Sequence, residues 1–189
     1  MRRRPRLRLS ADPPRDLGTQ AKVVPSRQDK HNDAYWLRMA VTNDGMTTAH
    51  DVRVILLRID APEPWRTQPP SRELKWADVD ADRATLPPKV SRLVDIVHIV
   101  RVTEHGRLNI RRHERCGLVP TLKPLSAADS GRPGTLLWRD LLRGTYVVHV
   151  ALSADDVPSS HVAVRFRIDA HRDFDACESA LAKATAGTV

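Results

Sequence analysis

Apolar residues recur at every second position in at least four runs of this chain, and helical spacing appears only near its end. From Tyr35, the residues Tyr35, Leu37, Met39 and Val41 alternate with Trp36, Arg38, Ala40 and Thr42, the period of a half-buried strand. Asn43-Asp44-Gly45 follows, a turn signal that tolerates positive φ. Val52, Val54 and Leu56 then alternate with Asp51, Arg53 and Ile55. Two strands about a polar turn predict a hairpin or a sandwich corner. The longest run is Leu93–Val102, with Val94, Ile96, His98, Val100 and Val102 on one face. Tyr146, Val148, Val150 and Leu152 make a further strand, Ser153 to Ser160 a turn, and Val162, Val164, Phe166 and Ile168 its return. The expected core is therefore Leu37, Met39, Val41, Val52, Val54, Leu56, Val94, Ile96, Val100, Val148, Val150, Val164 and Phe166.

Weaker signals fill the gaps. Leu7 and Leu9 between Arg6 and Arg8 suggest a short first edge strand, and Ala21–Val24 another short strand. Leu74-Lys75-Trp76 reads as a strand with Leu74 and Trp76 on one face, and Leu108 to Arg111 as one more. Leu136 to Leu142 reads as a helical turn or strand under the core. Residues 61–73 are a Pro-rich loop, and Ser130 to Gly134 is a firm break. Asp173 is placed to cap a short helix through Cys177, Leu181 and Ala184. The expected organisation is a basic arm or edge strand over 1–9, one β-sandwich domain over 10–170 and a tail with a short helix over 171–189.

Composition narrows the class. Hydrophobic residues at 41% and charged ones at 29% fit a small globular domain with polar loops rather than a disordered chain. The net charge of +8 points to an acidic partner, but 25 arginines against 6 lysines is also what base composition gives. No apolar run approaches the roughly 20 residues that span a bilayer, and no signal-peptide core follows the arginines at Arg2 to Arg8, so a cytoplasmic protein without a transmembrane segment is expected. Two cysteines, Cys116 and Cys177, are expected as reduced thiols.

Candidate chemistry is sparse. Asp78, Asp80 and Asp82 begin like a calcium loop, but Arg83 stands where its glycine belongs and Lys89 where its glutamate does. His98, His105, His113 and Cys116 have irregular gaps for zinc. No metal and no cofactor is expected. Gly-x-Ser-x-Gly, a phosphate-binding glycine loop, His-Glu-x-x-His and Cys-x-x-Cys are all missing from the sequence, so no catalytic residue is assigned and the protein is read as no enzyme. Trp65, Trp76 and Trp138 would anchor a protein partner if exposed. Arg2, Arg3, Arg4 and Arg6 with Arg111, Arg112 and Arg115 would contact phosphates if they converged on one face.

Tyr35 to Gly45 followed by Ala49-His50-Asp51-Val52-Arg53-Val54, and the late Gly144 to Val150 with its return strand, resemble the immunoglobulin-like sandwich modules of bacterial adhesion-related proteins. The long inserts at 61–90 and 103–143 depart from a minimal module. The resemblance implies an all-β, two-sheet antiparallel sandwich with long inserted loops and a short C-terminal helix, and it carries no catalytic residues. The function expected is a non-enzymatic interaction or assembly module, binding a protein partner or a second copy through sheet edges and end loops. The alternative is a nucleic-acid-associated protein acting through its arginine clusters.

Overall fold

In the computed structural model the described residues are 4–12, 23–29, 32–63, 71–77, 84–104, 113–121, 139–170 and 173–189. The alternating runs fold as β3 (Asn32–Asn43), β4 (Ala49–Asp60), β7 (Ser91–Glu104), β10 (Gly144–Ala154) and β11 (Val157–Ile168). Shorter strands are β1 (Leu7–Ser10), β2 (Val23–Asp29), β5 (Arg72–Glu73), β6 (Ala84–Leu86), β8 (His113–Pro120), β9 (Arg139–Asp140) and β12 (Thr185–Thr188). One helix, α1, spans Phe174–Ala182. One antiparallel sheet runs β1-β3-β7-β8-β9, with β2 also on β3. The second runs β12-β11-β10-β4-β5, with β6 also on β4. The architecture is all-β and two-sheet.

Because side chains alternate across a strand, each sheet turns one apolar face inward. Leu37, Met39, Val94, Ile96 and Ile99 from the first sheet meet Val54, Leu56, Val148, Val150 and Val164 from the second in one buried cluster. β3 and β4 lie in different sheets, so the polar turn between them is a sandwich corner. β10 and β11 form the hairpin expected, but its turn is only Asp155-Asp156, since Ala154 pairs with Val157. Val157 to Ser160 belong to the strand; they lie outside the buried core, and the run Val-Pro-Ser-Ser carries no alternation to read.

Of the expected core only Val100 fails, being half-buried. Arg38 pairs with Asp95 and the adjacent Leu37 with Val97, which leaves Ile96 as an extra residue in β7. This bulge flips the strand's facing, so Val97 and Ile99 point inward after it while His98 and Val100 turn to the other face. Leu93, Asp95 and His98 are nevertheless buried on that outer face.

Two features close the flanks. Leu74 donates its N–H to Val54 O in the second sheet, while Trp76 bridges to Val94 in the first, so residues 72–77 cross from one sheet to the other. At the opposite flank β1 lies against β12. The helix then covers the end of the sandwich where Tyr35, Arg101 and Cys116 lie. Asp173 caps it by accepting from Asp175 N–H and Ala176 N–H, both at 3.1 Å. Its buried side is Phe174, Cys177 and Leu181, with Phe174 stacked on Tyr35 at 4.3 Å and under Arg101 at 5.0 Å. Residues 173–189 thus pack as part of the sandwich, and β12 supplies a strand that the sequence did not announce. Among the described residues no helix is long and apolar enough to cross a membrane.

Candidate interaction cleft

The hairpin β10–β11 and the helix that follows it leave a cleft of about 550 Å³ between them. β12 pairs with β11 from Val162 to Arg165, so Phe166 and Arg167 run past its end and border the cleft. The strand's alternation turns Phe166 inward, where it stacks on Tyr146 at 5.3 Å, and leaves Arg165 and Arg167 exposed. From the helix, Ala176, Ser179, Ala180 and the C-cap Lys183 face them. The floor is therefore small and apolar, and the rim is cationic with two hydroxyls, Thr145 and Ser179.

Among the described residues of the cleft lining, Asp169 alone opposes that charge. Arg167 Nε donates to Asp169 Oδ1 at 2.9 Å between two largely exposed side chains. That hydrogen bond first, then the charges of Arg167, Arg143 and Lys183, hold the Asp169 carboxyl below the usual carboxylate range. Three cations thus act on one carboxylate, and two of them, Arg167 and Lys183, line the cleft together with Arg165. Guanidinium groups favour carboxylates through paired N–H donors. The chemistry this arrangement supplies is recognition of an anion or an acidic chain.

The residues singled out in the sequence fall elsewhere. Trp76 is only 5% exposed and packs in the core cluster, so the exposure that would let it anchor a partner is not met. Trp65, Trp138, Arg2, Arg3, Arg111, Arg112, Asp78, Asp80, Asp82 and His105 lie outside the described residues, and of His113 and Arg115 only the backbone belongs to them. Arg4 and Arg6 are exposed, and the Arg6 N–H donates to Asn43 Oδ1 at 3.1 Å, at the Asn43 end of β3. Arg115 pairs with Val102, which pairs with Asn32 at the other end of β3. Those ends are eleven residue steps apart, about 36 Å at roughly 3.3 Å per residue. Arg6 and Arg115 therefore stand toward opposite ends of the first sheet.

His98 stacks on Trp36 at 4.2 Å and shares a 3.3 Å hydrogen bond with Thr121 Oγ1. Burial lowers its pKa to about 4, so at neutral pH it is an uncharged structural residue. Among the described residues no group of three or more His, Cys, Asp or Glu side chains is gathered as metal ligands. Arg143, Arg165, Arg167, Asp169 and Lys183 were not legible as a site. Arg165 and Arg167 two apart signal a basic strand face, but nothing in the sequence says that Lys183 folds back beside them.

Comparison with known protein families, with curated proteins and with solved structures gives no match to this chain.

Proposed function

We propose that this chain is a non-enzymatic interaction module on an immunoglobulin-like sandwich, and that it binds an extended acidic segment of a partner protein in the cleft between α1 and β11. The observation that carries the reading is the cationic rim of Arg165, Arg167 and Lys183 beside the stretch of β11 that β12 leaves uncovered. An added strand would gain main-chain hydrogen bonds from that edge, and its carboxylates would meet the rim.

Two features support the immunoglobulin-like form. The order β1-β3-β7-β8 in one sheet and β4-β10-β11 in the other follows the ABED and CFG order of such domains, except that β8 comes after β7 in the chain where strand D precedes E. Tyr146, near the start of β10, donates its hydroxyl hydrogen to Leu142 O at 3.0 Å and accepts from Leu142 N–H at 2.8 Å, the arrangement of a tyrosine corner.

The test is fluorescence anisotropy with a labelled peptide of alternating Asp and Val. The wild-type chain should bind it, more weakly as salt rises. An Arg165→Glu/Lys183→Glu variant should lose at least tenfold in affinity. An Arg4→Glu/Arg6→Glu variant changes charge equally at the far end of the sandwich and should bind as wild type. Equal losses in both variants would reduce the effect to net charge and end the cleft assignment.

A further inference from the structure

Asp78, Asp80 and Asp82 alternate with Val79 and Ala81, and nowhere else in the sequence do three acidic residues stand at alternate positions. In an extended chain this spacing sets the carboxylates on one side and the two small apolar side chains on the other. The cleft offers the complement. Arg165 and Arg167 are likewise two apart on an exposed strand face, Lys183 faces them from the end of the helix, and Ala176 and Ala180 lie in the floor. Opposite charges set at one spacing can pair along neighbouring strands. Residues 78–82 lie outside the described ones, but Ala77 and Ala84, which flank the stretch, belong to them.

A chain cannot bring this segment to its own cleft. Ala84 pairs with Val52 in β4. Arg165, at the cleft, pairs with Val147 in β10, which pairs with Asp60 in β4. Val52 and Asp60 are eight residue steps apart, about 26 Å at roughly 3.3 Å per residue. β11 lies two strands from β4, roughly 10 Å more across the sheet, which puts the cleft about 28 Å from Ala84. Asp80 is four residues from Ala84 and Asp78 six, so their tethers reach at most about 14 and 22 Å. A second molecule has no such limit. We propose that the acidic segment received by the cleft is Asp78–Asp82 of a second copy of this chain. The inference rests on the acidic-segment reading of the cleft and names its partner. Ala84 and the cleft stand toward opposite ends of β4, so one copy can give its segment and receive another at once. Arg167 Nε already serves Asp169, which makes Arg165 and Lys183 the cations to change in a test.

The experiment is sedimentation of the full chain over a concentration series at low and high salt, with anisotropy of a labelled peptide that has the sequence of residues 77–83. The wild type should bind the peptide, and its average mass should rise above the 21.2 kDa of one chain with concentration and return to it with salt. An Asp78→Asn/Asp80→Asn/Asp82→Asn variant should stay monomeric and bind the peptide as wild type. An Arg165→Glu/Lys183→Glu variant should stay monomeric and lose roughly tenfold or more in peptide affinity. Mixed, the two monomeric variants should form a one-to-one dimer, since one brings the cleft and the other the segment. Excess unlabelled peptide should return the wild type to monomer mass and a scrambled peptide should not, so a variant that fails to fold leaves the test intact. A wild type that binds the peptide yet stays monomeric, or association that survives in the Asp→Asn variant, would overturn the second copy and leave the cleft reading standing. Failure of the wild type to bind the peptide or the Asp-Val peptide would end both.

Discussion

Asn43 has no exposure and uses every hydrogen-bonding position of its side chain. Its Oδ1 accepts from the N–H groups of Arg6 and Gly45, and its Nδ2 donates to Thr47 O at 2.8 Å and Leu86 O at 2.9 Å. One side chain thus ties the N-terminal arm, the corner and the end of β6 together. Gly45 is needed beside it for space: a Cβ there would fall 2.6 Å from Arg4 O and Arg6 N. Asn43→Ala should cost about 2–4 kcal/mol, since four main-chain groups, two of them buried, lose their partner, measured as a lower urea midpoint at unchanged m-value. A loss below about 1 kcal/mol would mean that water replaces the amide. Asn43-Asp44-Gly45 was legible as a turn but for the wrong reason: among the described residues the positive φ angles are at Asp51, Lys89 and Gly144, none of them in this turn. What fixes Asn43 and Gly45 is the arm at Arg4 to Arg6, some 37 residues away, a contact that local pattern cannot contain.

At the scale of the element, strand existence was legible and strand facing was not always. Period-2 alternation gave β3, β4, β10 and β11 because each has one buried and one wetter face. β7 is buried on both faces from Leu93 to Ile99, so its alternation carries no direction and the bulge at Ile96 goes unseen. β12 escaped because Thr185-Ala186-Gly187-Thr188 owes its place to β11 rather than to its own pattern. The cleft was legible only on its strand side, since its helix side depends on how residues 173–183 pack. The corner before β10 offers a clean test, because the Tyr146 ring stays stacked on Phe166 when its hydroxyl is removed. Tyr146→Phe should lose about 1–3 kcal/mol from the two unpaired groups of Leu142. An unchanged thermal midpoint would show that this hydroxyl does not hold the corner.

For the whole molecule, the buried histidine sets an acid limit. His98 has a folded pKa of about 4 against 6.5 when exposed. Between those values the unfolded chain binds more protons than the folded one, so stability rises with pH through this window and is lost as pH falls from 6.5 towards 4. The full difference is roughly 3 kcal/mol at about 1.4 kcal/mol per pKa unit. His98→Asn should flatten the fall in Tm between pH 6.5 and 4.5. An equally steep fall in the variant would assign the acid sensitivity to carboxylates instead. The side chains around His98 make this limit local: Trp36 stacks on one face, and Nδ1 shares a hydrogen bond with Thr121 Oγ1.

The flank where β1 meets β12 also has a history in time. Leu9 and Leu181 belong to one core cluster, yet 172 residues separate them. A ribosome adding roughly 5–20 residues per second makes Leu181 about 9–34 s after Leu9. Throughout that interval the first strands have apolar faces and unpaired edges, the state in which nascent chains join one another. Arg6 and Arg8 bracket Leu7 in that first strand, and both side chains remain outside once the sandwich closes. Their service then falls before folding ends: two like charges on the earliest edge repel the same edge of a neighbouring nascent chain until the last strand arrives.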